Sequence, residues 1–334
     1  MNKTTIEWTD HTWNPVTGCH KVSQGCKNCY AETLFNRFGP KKQDDGSLNI
    51  VNKAFDHFFR DVKIRHERLN EPVVMRKKLE GKKVFVCDMS DLFHEAVPFW
   101  FIDKVFDVML QLPKTTFQIL TKRPHIAANY FSMRFPSLRM YTNIWIGTSC
   151  EDQNTADQRI PELLKIKSAF RFLSLEPMLG PIDIVKAVGK YFPVGKTFTT
   201  GYEIDWVIVG GESGHGARPL HPDWVRKVRD DCQENKISFF FKQWGEYEPF
   251  ESHWQAPFYQ SACTGETFDG HHMNFIDGAT CEGGKFQGCR WYDPLDSITL
   301  CLETHSENCS FLRKGKSKTG NLLDGKKYQE FPKM

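Results

Sequence analysis

Six short apolar runs, rich in β-branched and aromatic residues, recur along the chain, and stretches with helical spacing lie between most of them. The runs are 83–87 (KVFVC), 116–120 (TFQIL), 143–147 (NIWIG), 170–175 (FRFLSL), 205–210 (DWVIVG) and 237–241 (ISFFF). Runs this short and this rich in Val, Ile, Phe and Trp read as strands. The intervening segments 99–112, 125–133, 155–167 and 222–235 carry apolar residues three and four apart, with a proline or an acidic or hydroxyl residue near several starts. A helix after each strand returns the chain to the end where it began, so successive strands run parallel and the fold class is α/β. A first strand is predicted at 13–17. Six or seven such units predict a partial or complete (β/α) TIM-like barrel. An open doubly wound sheet is the other arrangement that periodicity allows.

Two segments break the alternation. Residues 41–82 are polar and charged, a long insertion with helices expected near 52–60 and 70–78. From 248 the chain turns rich in Gly, Asp, His and Cys, with weak periodicity. The expected organisation is therefore a barrel over 1–247, carrying the insertion, followed by an irregular extension and basic tail over 248–334. A chain of 334 residues with 40% hydrophobic content can bury a large core unaided. The beginning MNKTTIEWTD has no apolar leader, and no apolar run approaches the roughly 20 residues of a membrane helix, so the expected location is the cytoplasm, with no membrane partner. Thiols stay reduced there, and eleven cysteines then point to metal binding or core packing rather than disulfides.

Side chains that follow parallel strands share one rim, which is where strand-helix folds carry out chemistry. This chain loads that rim repeatedly. Asp88, Ser90, Asp91 and His94 follow the second strand, and Thr121, Lys122 and Arg123 the third. Ser149, Cys150, Glu151 and Asp152 follow the fourth, and Glu176 the fifth. Glu212, Ser213, His215 and Arg218 follow the sixth, and Lys242 the seventh. Any one of these is ordinarily a helix cap or a solvated loop residue, but six loaded ends in succession argue for a site. Arg218, Lys242, Glu176 and Glu212 are the candidates for gripping a substrate.

After the first strand comes GCHKVSQGCKNC, in which Cys19, Cys26 and Cys29 are spaced six and two residues apart, with Gly18 and Gly25 each before a cysteine. Such thiols can hold an iron–sulfur cluster or zinc, or can simply pack. Zinc would need a fourth ligand. His20 is adjacent to Cys19 and would chelate under strain, so a remote cysteine is the alternative.

The stretches IEWTDHTWNPVTGCHKVSQGCKNCYAE, FVCDMSDLFHEAVP, FQILTKRP, IWIGTSCEDQNTADQRIPELL, FRFLSLEPMLGPID, WVIVGGESGHGARPLHPDWVRKVRDDC, FFFKQWGEY and GKSKTGNLLDGKKYQEFP resemble a phage- and bacteria-associated family of radical-S-adenosylmethionine-like proteins, often described with a three-Cys-motif partner protein. The resemblance implies a barrel of the radical S-adenosylmethionine type. It also implies a [4Fe-4S] cluster on Cys19, Cys26 and Cys29, S-adenosyl-L-methionine on the open iron, and a 5'-deoxyadenosyl radical. An electron donor such as flavodoxin or ferredoxin is implied with them. The common motif of that superfamily spaces its cysteines three and two apart, so the first gap here is longer.

Thr121-Lys122 and Ser149 are also similar to positions in spore photoproduct lyase, a DNA-repair member. By that likeness Lys122 pairs with the cofactor carboxylate and Ser149 hydrogen-bonds the cofactor. Ser90 or Asp91, standing where a glycine-rich segment is usual, would accept from the cofactor ammonium, and Glu151 joins the cofactor-binding candidates. The likeness, the phage association and the basic tail lean towards a nucleic acid or nucleoside substrate, while the basic stretches 123–140 and 311–327 would contact phosphates in a rival, non-catalytic reading. The rival is a zinc-stabilised nucleic-acid-binding or partner-scaffolding protein without catalysis. GGESG lacks the lysine and hydroxyl ending of a phosphate loop and is not assigned to nucleotide. Cys263, Cys281, Cys289, Cys301 and Cys309 match no ligand spacing.

Overall fold

The computed structural model describes residues 1–43, 45, 47–50, 52–134, 138–191, 204–251, 275–276 and 309–332. The extension's Cys263, Cys281, Cys289 and Cys301 lie outside the described residues, as does the side chain of Cys309. Eight strands form one sheet in chain order: β1 (Asn2–Lys3), β2 (His11–Trp13), β3 (Lys83–Val86), β4 (Thr116–Thr121), β5 (Ile144–Ser149), β6 (Phe170–Leu175), β7 (Trp206–Gly210) and β8 (Ser238–Gln243). β1 is an antiparallel edge on β2, and from β2 to β8 every neighbour pairs parallel. The helices are α1 (Tyr30–Phe38), α2 (Phe99–Leu110), α3 (Pro124–Arg134), α4 (Gln153–Leu164), α5 (Ile184–Gly189) and α6 (Pro222–Glu234). The strand and helix expectations fall within a few residues of these bounds.

Several starts and stops follow local chemistry. The Asp152 carboxylate accepts from the Thr155 amide at 2.8 Å, and the Thr155 hydroxyl accepts from the Asp152 amide at 3.1 Å, a reciprocal cap that fixes the start of α4. Pro222 opens α6, where its missing N–H costs nothing.

Both faces of the sheet are covered, which is why its strands read as nearly continuous apolar runs. Val84, Val86, Phe117, Ile119, Ile144, Ile146, Leu173, Leu175, Val207 and Val209 join the helices in the larger core. The alternate positions Phe85, Trp145, Phe172, Trp206, Ile208 and Phe240 gather in a second cluster, stoppered by Trp8 from the β1–β2 connection.

Two expectations about organisation change. The predicted first strand is interrupted: β2 ends at Trp13, and Val16–Thr17 pairs instead with Lys63–Ile64 of the insertion. The insertion holds a 3-10 turn at Lys53–Phe55 and two helical turns, Glu71–Val74 and Arg76–Leu79, in place of two longer helices. The end of the basic tail lies against the sheet. Gln329 bridges Phe240 in antiparallel fashion, the Phe241 amide donates to the Tyr328 carbonyl at 2.9 Å, and the Glu330 amide donates to the Phe239 carbonyl at 3.1 Å. Phe331 then packs on Trp206 and Phe240, and the Lys83 ammonium lies 4.3 Å from its ring centre. Among the described residues no ladder joins β8 to β1 or β2, and this segment lies along the edge of β8. No described helix is long and apolar enough to cross a membrane.

Candidate functional site

The cysteine loop is braced from below by the insertion. Gly18 has φ +87°, and a Cβ there would stand 2.8 Å from the carbonyl oxygens of Phe59 and Asp61, so both its backbone and its space call for glycine. The next amide, of Cys19, donates to the Phe59 carbonyl at 2.8 Å. Arg65 fixes the brace: its Nε donates to the Thr17 hydroxyl at 2.9 Å, and its guanidinium pairs with Asp56. Cys26 ends a 3-10 turn, Gln24–Cys26, and Cys29 caps the start of α1.

The three thiols are free and half-buried, and Cys19 and Cys29 rest on Ala31, Phe35 and Phe59. Burial, aided by the Asp91 charge, pushes the Cys19 thiol up to about 12, against the pull of Arg123, whose Nη1 lies 3.8 Å from the sulfur. Burial also raises Cys29, and the nearby backbone amides of Glu32 and Ala31 oppose the shift. The Cys26 charge raises both, so the three would repel one another as thiolates. A donor set of three soft sulfurs that need a shared cation suits an iron–sulfur cluster or zinc. No three His, Cys, Asp or Glu side chains among the described residues are gathered closely enough to hold a metal ion, so ligation requires the sulfurs to converge.

The upper side of the loop rests on the ends of β4 and β5. The Gly25 amide donates to Glu151 Oε1 at 3.3 Å, and a Cβ on Gly25 would come within 3.0 Å of both the Glu151 carboxylate and the Lys122 ammonium. Glu151 is 1% exposed, with Lys122 Nζ at 3.4 Å and Arg159 Nη1 at 2.8 Å. Burial opposes its ionisation, but the Lys122 and Arg159 charges and a hydrogen bond from Ser23 hold the carboxyl below its ordinary range. Ser149, also buried, ends β5 beneath this group, and its carbonyl accepts from Arg159 at 2.8 Å.

Ser90 and Asp91 are committed elsewhere. The Ser90 hydroxyl donates to the Val16 carbonyl at 2.8 Å. The Asp91 carboxylate accepts from the Thr121 hydroxyl at 2.7 Å, the Phe93 and Lys122 amides at 3.0 Å, and Arg123 Nη1 at 3.2 Å. Four donors fill the carboxylate, so Asp91 ties the β3 loop to β4 instead of waiting for a ligand's ammonium.

The expected substrate grip divides in two. Arg218 donates through Nε and Nη2 to the two Glu212 oxygens at 2.8 and 2.7 Å, and through Nη2 to the Gln24 carbonyl at 3.0 Å. Asn28 Nδ2 reaches the Gly216 carbonyl at 2.7 Å. The loop after β7 is therefore a latch on the cysteine loop, and Glu212–Arg218 is its clasp. Glu176 and Lys242 pair at 2.8 Å and stay partly accessible, with the Ser174 hydroxyl 3.1 Å from Glu176.

Sequence reasoning passed over Arg159, Asn28, Asn14 and Tyr30. Arg159 lies on a helix face where nothing local distinguishes it from a solvated arginine. Asn14 bonds the Asp88 carboxyl, whose burial raises it above the ordinary range. His20 Nδ1 lies 2.9 Å from His94 Nε2. His94 Nδ1 accepts from the Ala96 amide, so its Nε2 carries the proton and donates to His20. His20 Nδ1 is thus taken up by His94.

No curated protein and no solved structure matches this chain. A family model described as "Protein of unknown function (DUF5131)" matches residues 3–332, nearly the whole length, and the chain belongs to that family.

Proposed function

We propose that the protein is a radical S-adenosylmethionine enzyme built on a partial (β/α) barrel and acting on a nucleic acid or nucleoside. The observation that carries this reading is three free, half-buried thiols in one braced loop directly over the Lys122–Glu151 pair. Strand order that follows chain order supports a barrel, because a doubly wound sheet reverses direction at a switch point. Cys19, Cys26 and Cys29 would hold the [4Fe-4S] cluster, leaving one iron for S-adenosyl-L-methionine. Bound there, the two would supply radical chemistry, in which one electron from a flavodoxin- or ferredoxin-like donor would split the sulfonium into methionine and a 5'-deoxyadenosyl radical.

The chain's own residues bind and orient. Lys122 meets the cofactor carboxylate, Glu151 and Arg159 fix where that ammonium points, and Ser149 offers a hydroxyl from the strand end. The aromatic floor of Trp8, Phe85, Trp145 and Trp206 keeps water from entering through the opposite end of the sheet. Glu176 and Lys242 remain to contact the substrate.

The test is metal analysis of anaerobically purified protein. Brown protein with iron and acid-labile sulfide, both lost in Cys29→Ala while the circular dichroism spectrum persists, is the expected result. Colourless protein with stoichiometric zinc would overturn the reading and favour the nucleic-acid-binding scaffold.

A further inference from the structure

Arg123 follows β4, next to Lys122, and is only 2% exposed, so its N–H groups need partners inside the protein. Its Nε lies 2.9 Å from both Glu95 oxygens, Nη1 donates to Asp91 at 3.2 Å, and Nη2 donates to the His20 carbonyl at 3.2 Å. A further bond from Nη1 goes to the Cys19 sulfur at 3.8 Å. An arginine that only tied the end of β4 to the cysteine loop would be complete with the two carboxylates and the carbonyl. Here one donor is directed at a thiol as well.

The other two sulfurs are treated differently. The Ser23 hydroxyl, which is neutral, lies 3.9 Å from the Cys26 sulfur. Cys29 is placed through its neighbour: Tyr30 opens α1, and its hydroxyl donates to the Asp88 backbone carbonyl. Among the described residues, Cys19 is the one of the three with a cation bonded to its sulfur. Net charge does not account for the arrangement. Asp91 is buried beside the guanidinium and offsets its charge, whereas Glu95 is exposed and screened by solvent. What remains for the sulfur is a directed N–H bond. Such a bond to a ligand sulfur draws electron density from it, favours the more negative, reduced state of a cluster and raises its reduction potential. Groups that bond to ligands in this way tune a metal centre they do not touch.

We infer that Arg123 is the tuning residue of the centre: its bond to Cys19 raises the reduction potential of a bound [4Fe-4S] cluster and so eases its reduction. The inference rests on the iron–sulfur reading above and deepens it. Arg123 touches a ligand and not the reacting atoms, so its role is positioning and tuning rather than catalysis.

The experiment is an anaerobic redox titration of the full, cluster-loaded chain without S-adenosyl-L-methionine, followed by electron paramagnetic resonance of the reduced cluster. Arg123→Lys keeps the charge but loses the fork that reaches carboxylates, carbonyl and sulfur together. It should set the one-electron equilibrium about tenfold against reduction, a lowering of about 59 mV. Arg65→Lys loosens the same loop from the insertion side, where Arg65 bonds the Thr17 hydroxyl, and should leave the potential unchanged. A third arm needs no variant to fold: wild type isotope-labelled in its arginine guanidinium nitrogens should show a nitrogen coupling to the reduced cluster in pulsed spectra. Equal potentials in wild type and Arg123→Lys, an equal shift in Arg65→Lys, or absence of the coupling would each overturn the inference and leave the cluster in place. Wild type without iron would overturn the cluster and the inference with it. If Arg123→Lys assembles no iron, the labelled wild type decides.

Discussion

Glu151 is a buried carboxylate with two cations and a backbone amide around it, and each neighbour depends on it. Removing the charge leaves Arg159 buried and unpaired. Glu151→Gln should therefore lower stability by about 2–3 kcal/mol at neutral pH, read by urea unfolding. The carboxyl is held below its ordinary range when folded, so its contribution is complete above that range and lost as pH falls through the folded value. The gap between wild type and variant should close in acid; a constant gap would mean that shape, not charge, matters there. Lys122 is half-buried and the most accessible member of the group, and Lys122→Ala should keep its iron while binding S-adenosyl-L-methionine at least tenfold more weakly by calorimetry. Unchanged affinity would remove Lys122 from the cofactor site.

At the scale of elements, the cysteine loop is held by two devices from distant parts of the chain. The latch after β7 predicts that Arg218→Lys, which keeps the charge but loses the fork, speeds amide hydrogen exchange across 20–29 and leaves nucleic-acid affinity unchanged. A large loss of nucleic-acid affinity with unaltered exchange would return Arg218 to the substrate. The brace in the insertion depends on Asp56 and Arg65. A hydrogen bond from Arg65 lowers the Asp56 carboxyl to about 2 from an ordinary 3.8. Its stabilisation is present above the ordinary value and disappears as pH falls through about 2. With solvent screening discounted, Asp56→Asn should cost about 1 kcal/mol at pH 7 in thermal or urea unfolding, and the difference should vanish towards pH 2.

At the scale of the whole molecule, the last residues cover an edge that would otherwise stand open. Deleting 328–332 would uncover the β8 edge and strip Phe331 from Trp206 and Phe240, with a loss of about 2–4 kcal/mol and concentration-dependent aggregation by light scattering. A deletion variant as stable and monodisperse as the full chain would show that the segment is an ornament.

The alternation of strands and helices was legible because period and turn chemistry are local: Phe85 between Val84 and Val86 already announces a strand with two buried faces. The cysteine loop and the loaded strand ends were legible for the same reason, since parallel strands bring their carboxyl ends together by rule. What the sequence could not announce is how each polar group is used. Asp91 and Ser90 look available in a row of letters, as does Arg218, yet donors from β4, an acceptor near the end of the first strand and a carbonyl of the cysteine loop occupy them. Those partners lie tens to nearly two hundred residues away. Whether a side chain waits for a ligand or holds the fold depends on which groups the folded chain brings within about 3 Å, the reach of a hydrogen bond, and only the tertiary structure decides that.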